Sequence, residues 1–167
     1  MENKDLKSKI LWCSKQNKGI KLVKPNDNLS DAYLKKSNNS LKSMNLNAGA
    51  ELYDWAVDAA YYARYHSIYA LLQKCGIVCE IHDCSINLIR LLFDDKLSEG
   101  LLKELENSKK QRVDLVYYTN RLLSIEEINK NIESAPKFML TVEKIISELN
   151  VDDINKIRER LKRVLSN

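Results

Sequence analysis

The sequence predicts an all-α fold, an antiparallel up-and-down helical bundle with extra helices at its N- and C-termini. The chain has 167 residues, of which only four are Gly and two are Pro, and this composition is typical of a mostly helical domain. Apolar residues recur at helical spacing, and no segment alternates apolar and polar residues for long enough to predict a strand. A chain of this length is expected to form one domain around a single core.

The first two helices are predicted from an apolar stripe and from the residues that interrupt it. Residues 1–28 predict a leading helix followed by a connector, because Gly19 and Pro25 break the helical pattern. Ser30 is a good N-cap for a second helix, and residues 45–49 are expected to end that helix.

A third helix over about residues 50–75 is expected to be the longest uninterrupted one. Gly76 stands where a left-handed residue would close it. Apolar and aromatic residues, Trp55 among them, occupy most of its faces, so we expect this helix to be buried nearly all round.

The second half of the chain predicts further helices. Asp83 or Ser85 can cap a fourth helix, and Ser98 can cap a fifth that runs to about Tyr118.

Ser124 and Glu127 form the Ser-x-x-Glu capping box of a sixth helix, which Pro136 either kinks or divides. Asp152 starts a last amphipathic helix with a basic run at residues 158–163.

These elements divide the chain into an N-terminal helix and connector (residues 1–28), a helical bundle (29–150) and a C-terminal amphipathic helix (151–167). No apolar run reaches the roughly 20 residues that a membrane span needs, and the first residues are too charged for a signal peptide. We therefore expect a cytoplasmic protein without membrane contact, whose four cysteines are reduced thiols.

The net charge of +4 is unevenly distributed. Residues 1–50 hold ten lysines and four acidic residues, whereas the remainder holds 17 basic and 19 acidic residues. The lysines lie among Asn and Ser rather than among aromatic residues, so both an ordinary solvated surface and a phosphate-binding surface fit the pattern.

The cysteine-rich segment has two interpretations. Cys75, Cys79, His82 and Cys84 lie within ten residues and are the residue types that bind zinc. Zinc sites usually leave a longer loop between ligand pairs, so small buried thiols near a helix end fit this spacing better. We predict no metal and no cofactor.

Arginine and histidine supply the remaining candidates. Arg64 and His66 are two residues apart on one helix, so their side chains cannot act together on one substrate atom. His66 is therefore expected to be a hydrogen-bonded core residue, with acid–base catalysis as the alternative. A guanidinium on an inner helix wall, as is expected for Arg112, needs a carboxylate or a phosphate. A structural ion pair with an acid such as Asp58 and a ligand-facing role both fit.

A tyrosine-rich stretch of the predicted third helix resembles a known family. Residues 61–66 read YYARYH, and ALL at 70–72, GI at 76–77 and His82 follow. Their order and spacing are similar to the Tyr-Tyr-Ala-x-Phe-His run of small prokaryotic HEPN-domain proteins. The resemblance covers roughly residues 32–149.

The resemblance implies an antiparallel helical bundle that commonly forms symmetric dimers, encoded in many cases beside a minimal nucleotidyltransferase as a toxin–antitoxin pair. In active members, an arginine followed after four to six residues by a histidine cuts RNA without metal. Arg112 matches that arginine, but Tyr117 and Tyr118 stand where the histidine belongs. Tyrosine, with an ordinary pKa of about 10, is a poor general base at neutral pH.

The resemblance therefore implies a homodimer with a degenerate RNase motif. Its surface of Arg112, Asp114, Tyr117 and Tyr118 would bind a nucleotide, RNA or a nucleotidyltransferase partner. One alternative is an active metal-independent endoribonuclease toxin with Arg112, Tyr117 and His66 as candidate catalytic residues. A second alternative is a non-catalytic helical scaffold.

Overall fold

The computed structural model describes residues 3–118 and 123–166, which form seven helices and a ladder of two very short strands. In chain order the elements are α1 (Asn3–Ser14), β1 (Lys21–Leu22), α2 (Asp27–Gly49), α3 (Tyr53–Lys74), β2 (Ile77–Val78), α4 (His82–Leu92), α5 (Glu99–Tyr117), α6 (Ile125–Glu148) and α7 (Val151–Leu165). The predicted all-α bundle is confirmed. Among these helices none is both long and apolar enough to cross a membrane.

The strands β1 and β2 pair antiparallel, with Lys21 opposite Val78 and Leu22 opposite Ile77. The sequence analysis did not predict them, because two residues are too few to show an alternating pattern. The ladder connects the segment before α2 to the segment after α3, at the end of the bundle where Gly76 lies.

Helix α3 lies at the centre and packs against α2, α5 and α6. From Ala56 onward most of its residues are buried, as predicted. Trp55 is an exception, since 66% of its surface is exposed. Trp55 belongs to the first turn of α3, directly after the turn from α2, where the expectation of burial on all faces was wrong.

Several helix ends agree with the local sequence signals. The Ser98 side chain caps α5, and Ser124 and Glu127 form the predicted capping box of α6. Helix α6 continues through Pro136 and has 24 residues, so the expectation that the 22-residue α3 is the longest helix was wrong. Gly76 follows α3 with φ of 65°, a left-handed conformation that glycine adopts without steric cost.

The predicted start of α2 was wrong. The helix begins at Asp27, and Asn26 is its N-cap, with its side chain accepting a hydrogen bond from the Leu29 amide at 2.9 Å. Ser30 lies inside the helix and donates to the Ala70 carbonyl at 2.9 Å. A buried serine that reaches a neighbouring helix produces the same sequence signal as a cap.

The predicted caps of α4 were also wrong. The helix begins at His82, so Asp83 and Ser85 lie within its first turn. Ser85 is buried and donates to the Cys79 carbonyl at 2.8 Å. The segment before α4 is therefore held by a side chain from inside the helix.

The expectation of four reduced thiols was wrong for two cysteines. Cys13 and Cys84 form a disulfide, with their Cα atoms 5.8 Å apart. Helix α1 packs on α4 and brings these two residues within the distance that a disulfide needs. The expectation of reduced thiols rested on the predicted cellular location and took no account of this packing. Cys75 and Cys79 are buried free thiols, and burial raises the pKa of Cys75 to about 12.

The disulfide also removes one ligand of the zinc alternative, because Cys84 belonged to that set. No three His, Cys, Asp or Glu side chains in the described part of the chain are grouped as a metal site. Residues of α1 and α7 join those of α3 to α6 in one apolar core. The division of the chain at residues 28 and 150 stays a prediction.

Candidate functional site

Two arginines span the interface between α3 and α5, each bound to a carboxylate on the facing helix. Arg64 of α3 donates from Nε to Glu104 Oε1 of α5 at 2.9 Å. Arg112 of α5 donates from Nε to Asp58 Oδ1 of α3 at 2.6 Å. In the first pair α3 supplies the arginine and α5 the carboxylate, and in the second pair these roles are exchanged.

Arg112 lies near the surface, with 18% of its side chain exposed. Its Nη2 donates to the Tyr62 hydroxyl at 3.1 Å, and its guanidinium carbon lies 5.0 Å from the centre of the Tyr62 ring. The Tyr61 ring lies 5.5 Å from the same carbon. Guanidinium groups are attracted to the faces of such rings, so the two tyrosines form a platform for the cation.

The charge of Arg112 is stabilised where it lies. Burial lowers the pKa of its guanidinium, but the hydrogen bond and charge of Asp58 together with Tyr62 and Tyr61 raise it above the usual value. The structure therefore contains the ion pair with Asp58 that was one of the two sequence-based possibilities, and it leaves part of the cation open to solvent.

Both histidines belong to the aromatic cluster beside Arg112. The Tyr61 hydroxyl lies 2.6 Å from His82 Nδ1, and the His82 ring stacks on Tyr65 with centroids 3.8 Å apart. His66 stacks on Tyr62 with centroids 5.5 Å apart. The tyrosines of the YYARYH stretch thus surround two imidazoles and one guanidinium.

Both imidazoles are biased toward their neutral forms. Burial, with smaller contributions from Lys36 and His82, lowers the pKa of His66 to about 4. Burial and the positive charges of Arg112 and Lys109 lower the pKa of His82. Neutral imidazoles can accept protons, but these two pack on tyrosine rings rather than on Arg112.

His66 has the hydrogen-bonded, half-buried position that its sequence context predicted. Its Nδ1 lies 3.3 Å from Ser40 Oγ. Within the part of the chain that the structure describes, it forms no hydrogen bond with Arg112, and the two side chains are connected through Tyr62.

The other predicted site residues lie toward the C-terminal end of α5. Asp114 is half-buried. Tyr117 is 68% exposed and Tyr118 is 46% exposed. The Tyr118 amide donates to the Asp114 carbonyl at 3.1 Å, where α5 ends. The structure thus places Tyr117 and Tyr118 at the surface more than one turn beyond Arg112.

Sequence reasoning missed the contacts of Tyr62 and His82 with this site. Asp58 and Tyr62 are four residues apart on α3, so they lie on one helix face, and this spacing was a usable signal. No comparable signal connects His82 to Tyr61, because they belong to different helices.

Arg64 forms a second polar centre that the sequence analysis did not identify. It is completely buried, and its guanidinium donates to Asn131 Oδ1, the Asn131 carbonyl and Ser134 Oγ at 2.7 to 2.9 Å. It also donates to the Ala60 carbonyl at 3.0 Å. Arg64 forms part of the wall of a polar cavity of about 700 Å³ between α5 and α6. Its donors are saturated by protein groups.

A model of the HEPN domain family matches residues 30–147 of the chain. This span is more than half of the chain and includes both arginines, whereas α1 and α7 lie outside it. No curated protein matches the sequence.

Proposed function

We propose, from the premise that the chain belongs to the HEPN-domain family, that its Arg112 surface binds the phosphate of a nucleotide or of RNA. The protein would act as the binding member of a toxin–antitoxin-like pair with a nucleotidyltransferase, and as a homodimer. The observation that carries the proposal is the partly exposed guanidinium of Arg112, held between Asp58 and two tyrosines.

Arg112 is suited to phosphate because its donors are not saturated. A guanidinium has five N–H donors. Among the described residues, Arg112 uses Nε for Asp58 and Nη2 for Tyr62, which leaves donors for a phosphate oxygen. Asp58 lowers the net charge of the site but fixes the orientation of the guanidinium.

Binding is favoured over cleavage because the motif histidine is absent. Tyr117 and Tyr118 follow Arg112 at the positions where active relatives carry that histidine. The two histidines of the chain are engaged with other groups, His66 near Ser40 and His82 with Tyr61. The RNase motif is therefore degenerate in this proposal.

The test is a calorimetric titration of ATP and of a short single-stranded RNA into wild-type protein and the Arg112→Ala variant, after mass-calibrated size exclusion. We expect a dimer that binds one or both ligands, and loss of that binding in Arg112→Ala with unchanged folding. Arg160→Ala is the matched control, since Arg160 of α7 forms a surface ion pair with Asp94, at 2.8 Å. Unchanged binding by Arg112→Ala would refute the phosphate site.

A second candidate function is metal-independent RNA cleavage. The observation that favours it is the position of His66 and His82 in the aromatic cluster beside Arg112, where burial lowers the pKa of both imidazoles, because a general base must be unprotonated. Cleavage of varied RNAs in EDTA, lost in Arg112→Ala and in His66→Gln or His82→Gln, is the expected result for this function. A dimer that neither binds nor cleaves RNA, and does not bind ATP, indicates a protein-binding scaffold.

A further inference from the structure

A groove of about 650 Å³ lies between α1, α4 and α5. Helix α1 precedes the family match and supplies one wall of the groove, so the matched bundle alone does not contain it. The disulfide between Cys13 and Cys84 fixes α1 to α4 along this groove. Ile86 and Val113 add apolar surface from α4 and α5.

An exposed tryptophan stands in the wall of the groove. Trp12 is 58% exposed, although it belongs to a helix that buries Leu6 and Ile10 in the core. An indole ring left open beside an apolar floor offers a flat face on which another ring can stack. The half-buried side-chain amide of Asn87 also lines the groove and can pair with a polar ring edge.

The groove has a positive excess. Its two acidic residues are neutralised by ion pairs, Asp83 with Lys109 and Glu106 with Arg90. Lys110 is exposed and has no ion pair within residues 3–118 and 123–166.

Lys9 also lines the groove, but its charge is paired with Asp5 at 3.0 Å, so the positive excess of the groove comes from Lys110.

We infer that this groove binds a base of single-stranded RNA, with the base stacked on Trp12 and the adjoining phosphate near Lys110. Aromatic stacking next to cationic side chains is the usual way that proteins hold single strands without reading their sequence. An apolar peptide would also fit the floor of the groove, but it would make no use of Lys110.

The inference rests on the proposed function, because the groove adjoins the Arg112 surface. Lys109 and Val113 line the groove and are three residues before and one residue after Arg112 on α5. Residues so spaced lie within about one helical turn, or roughly 5.4 Å along the axis. A strand with one phosphate on Arg112 would therefore reach the groove with a neighbouring nucleotide.

The first experiment uses Trp12 as its own reporter. The chain contains two tryptophans, so the Trp55→Phe variant leaves Trp12 as the only one. Titration with a ten-nucleotide oligoadenylate is expected to quench its fluorescence saturably, because a stacked base quenches indole emission. Wild-type affinity for the same labelled RNA, measured by anisotropy, is the control for the background substitution. An absence of quenching while RNA binds would overturn the inference.

The second experiment measures affinity in variants. Trp12→Leu is expected to weaken RNA binding roughly tenfold, and Trp12→Phe to restore most of it, because stacking needs an aromatic face. Lys110→Ala is expected to reduce the slope of affinity against salt by about one unit. Lys103→Ala, at an exposed lysine two turns earlier on α5, is the matched control.

The variants separate this inference from the phosphate site. If Arg112→Ala loses RNA and Trp12→Leu binds as wild type does, the groove is refuted and the phosphate site stands. If Trp12→Leu loses affinity and Arg112→Ala does not, the groove binds RNA by itself and the proposed function fails. If the wild-type protein binds no RNA, the groove inference fails, whereas binding of ATP would still support the phosphate site.

Discussion

Arg64 and Arg112 connect the same two helices, but their surroundings differ in a way that separates structure from function. Arg64 is completely buried, and its donors are used by Glu104, Asn131, Ser134 and a backbone carbonyl. Arg112 is partly exposed and makes two hydrogen bonds among the described residues, supplemented by two tyrosine rings. A saturated cation holds the bundle together, whereas an unsaturated one can bind a ligand.

The environments also act differently on the two charges. Burial lowers the pKa of Arg64, although the charge of Glu104 opposes it. At Arg112 burial also lowers the pKa, but the hydrogen bond and charge of Asp58 together with Tyr62 and Tyr61 outweigh it, so the pKa is raised. The comparison teaches that an arginine can be recognised as a candidate binding group by its unused donors rather than by its ion pair.

Removal of each arginine tests the comparison most directly. Arg64→Met should lower the free energy of unfolding by roughly 3 to 5 kcal/mol, because the buried Asn131 and the half-buried Glu104 lose their hydrogen bonds to the guanidinium. Arg112→Met, the matched variant, should cost less, about 1 to 2 kcal/mol, since solvent reaches part of both the Arg112 and the Asp58 side chain. Urea denaturation followed by circular dichroism measures both. Equal losses in the two variants would make Arg112 a structural residue.

Removal of the disulfide tests whether α1 contributes to the stability of the bundle or to ligand binding at Arg112. The bond joins residues that are 71 positions apart, and loss of such a link typically costs about 2 to 4 kcal/mol. Cys13→Ser should therefore lower stability without weakening ATP binding at Arg112. Denaturation with and without a dithiol reductant, together with calorimetry, measures both effects. Stability that does not respond to the reductant would contradict the first part.

Acidification should lower the free energy of unfolding through the aromatic cluster beside Arg112, because both histidines lie there. The pKa of His66 is lowered to about 4, mainly by burial, whereas an unfolded histidine titrates near 6.5. Stability is therefore complete above about pH 6.5, falls as the pH drops toward 4, and levels off below it.

The loss should be on the order of 1 kcal/mol, because His66 is only partly buried and solvent screens it. His66→Gln should flatten this part of the profile of unfolding free energy against pH. An unchanged slope in the variant would assign the effect to another group.

The smallest expected effect concerns Asp58. Asp58→Asn keeps the shape of the side chain and removes the charge that neutralises Arg112, so affinity for ATP or RNA should rise by up to about fivefold. The Asp58→Asn, Arg112→Ala double variant should bind neither ligand. A lower affinity in Asp58→Asn would instead show that orienting the guanidinium requires the charged carboxylate, and that the amide oxygen of Asn is not sufficient.

Features that depend on neighbouring residues could be predicted from the sequence. The cap at Ser98, the capping box of Ser124 and Glu127, and the left-handed Gly76 were predicted and confirmed. The helical class was also evident from spacing along the chain, and the family from the resemblance of the YYARYH stretch, which the family match supports. Such signals are strong because their hydrogen bonds join residues a few positions apart.

Local signals failed where a side chain had a choice of partners. Ser30 and Ser85 had the residue type of a helix cap, but each donates to a carbonyl outside its own helix. The sequence showed that a hydrogen bond was available. Helix packing decided which group received it.

The sequence by itself determined the helical bundle, most of its helix ends, the family and the absence of a histidine after Arg112. Only the tertiary structure joined Cys13 to Cys84, saturated Arg64 and left part of Arg112 exposed. The physical reason is the separation along the chain between the residues that interact, since helix formation depends on contacts within a few residues. The partners of a buried charge depend on which distant helices pack against it.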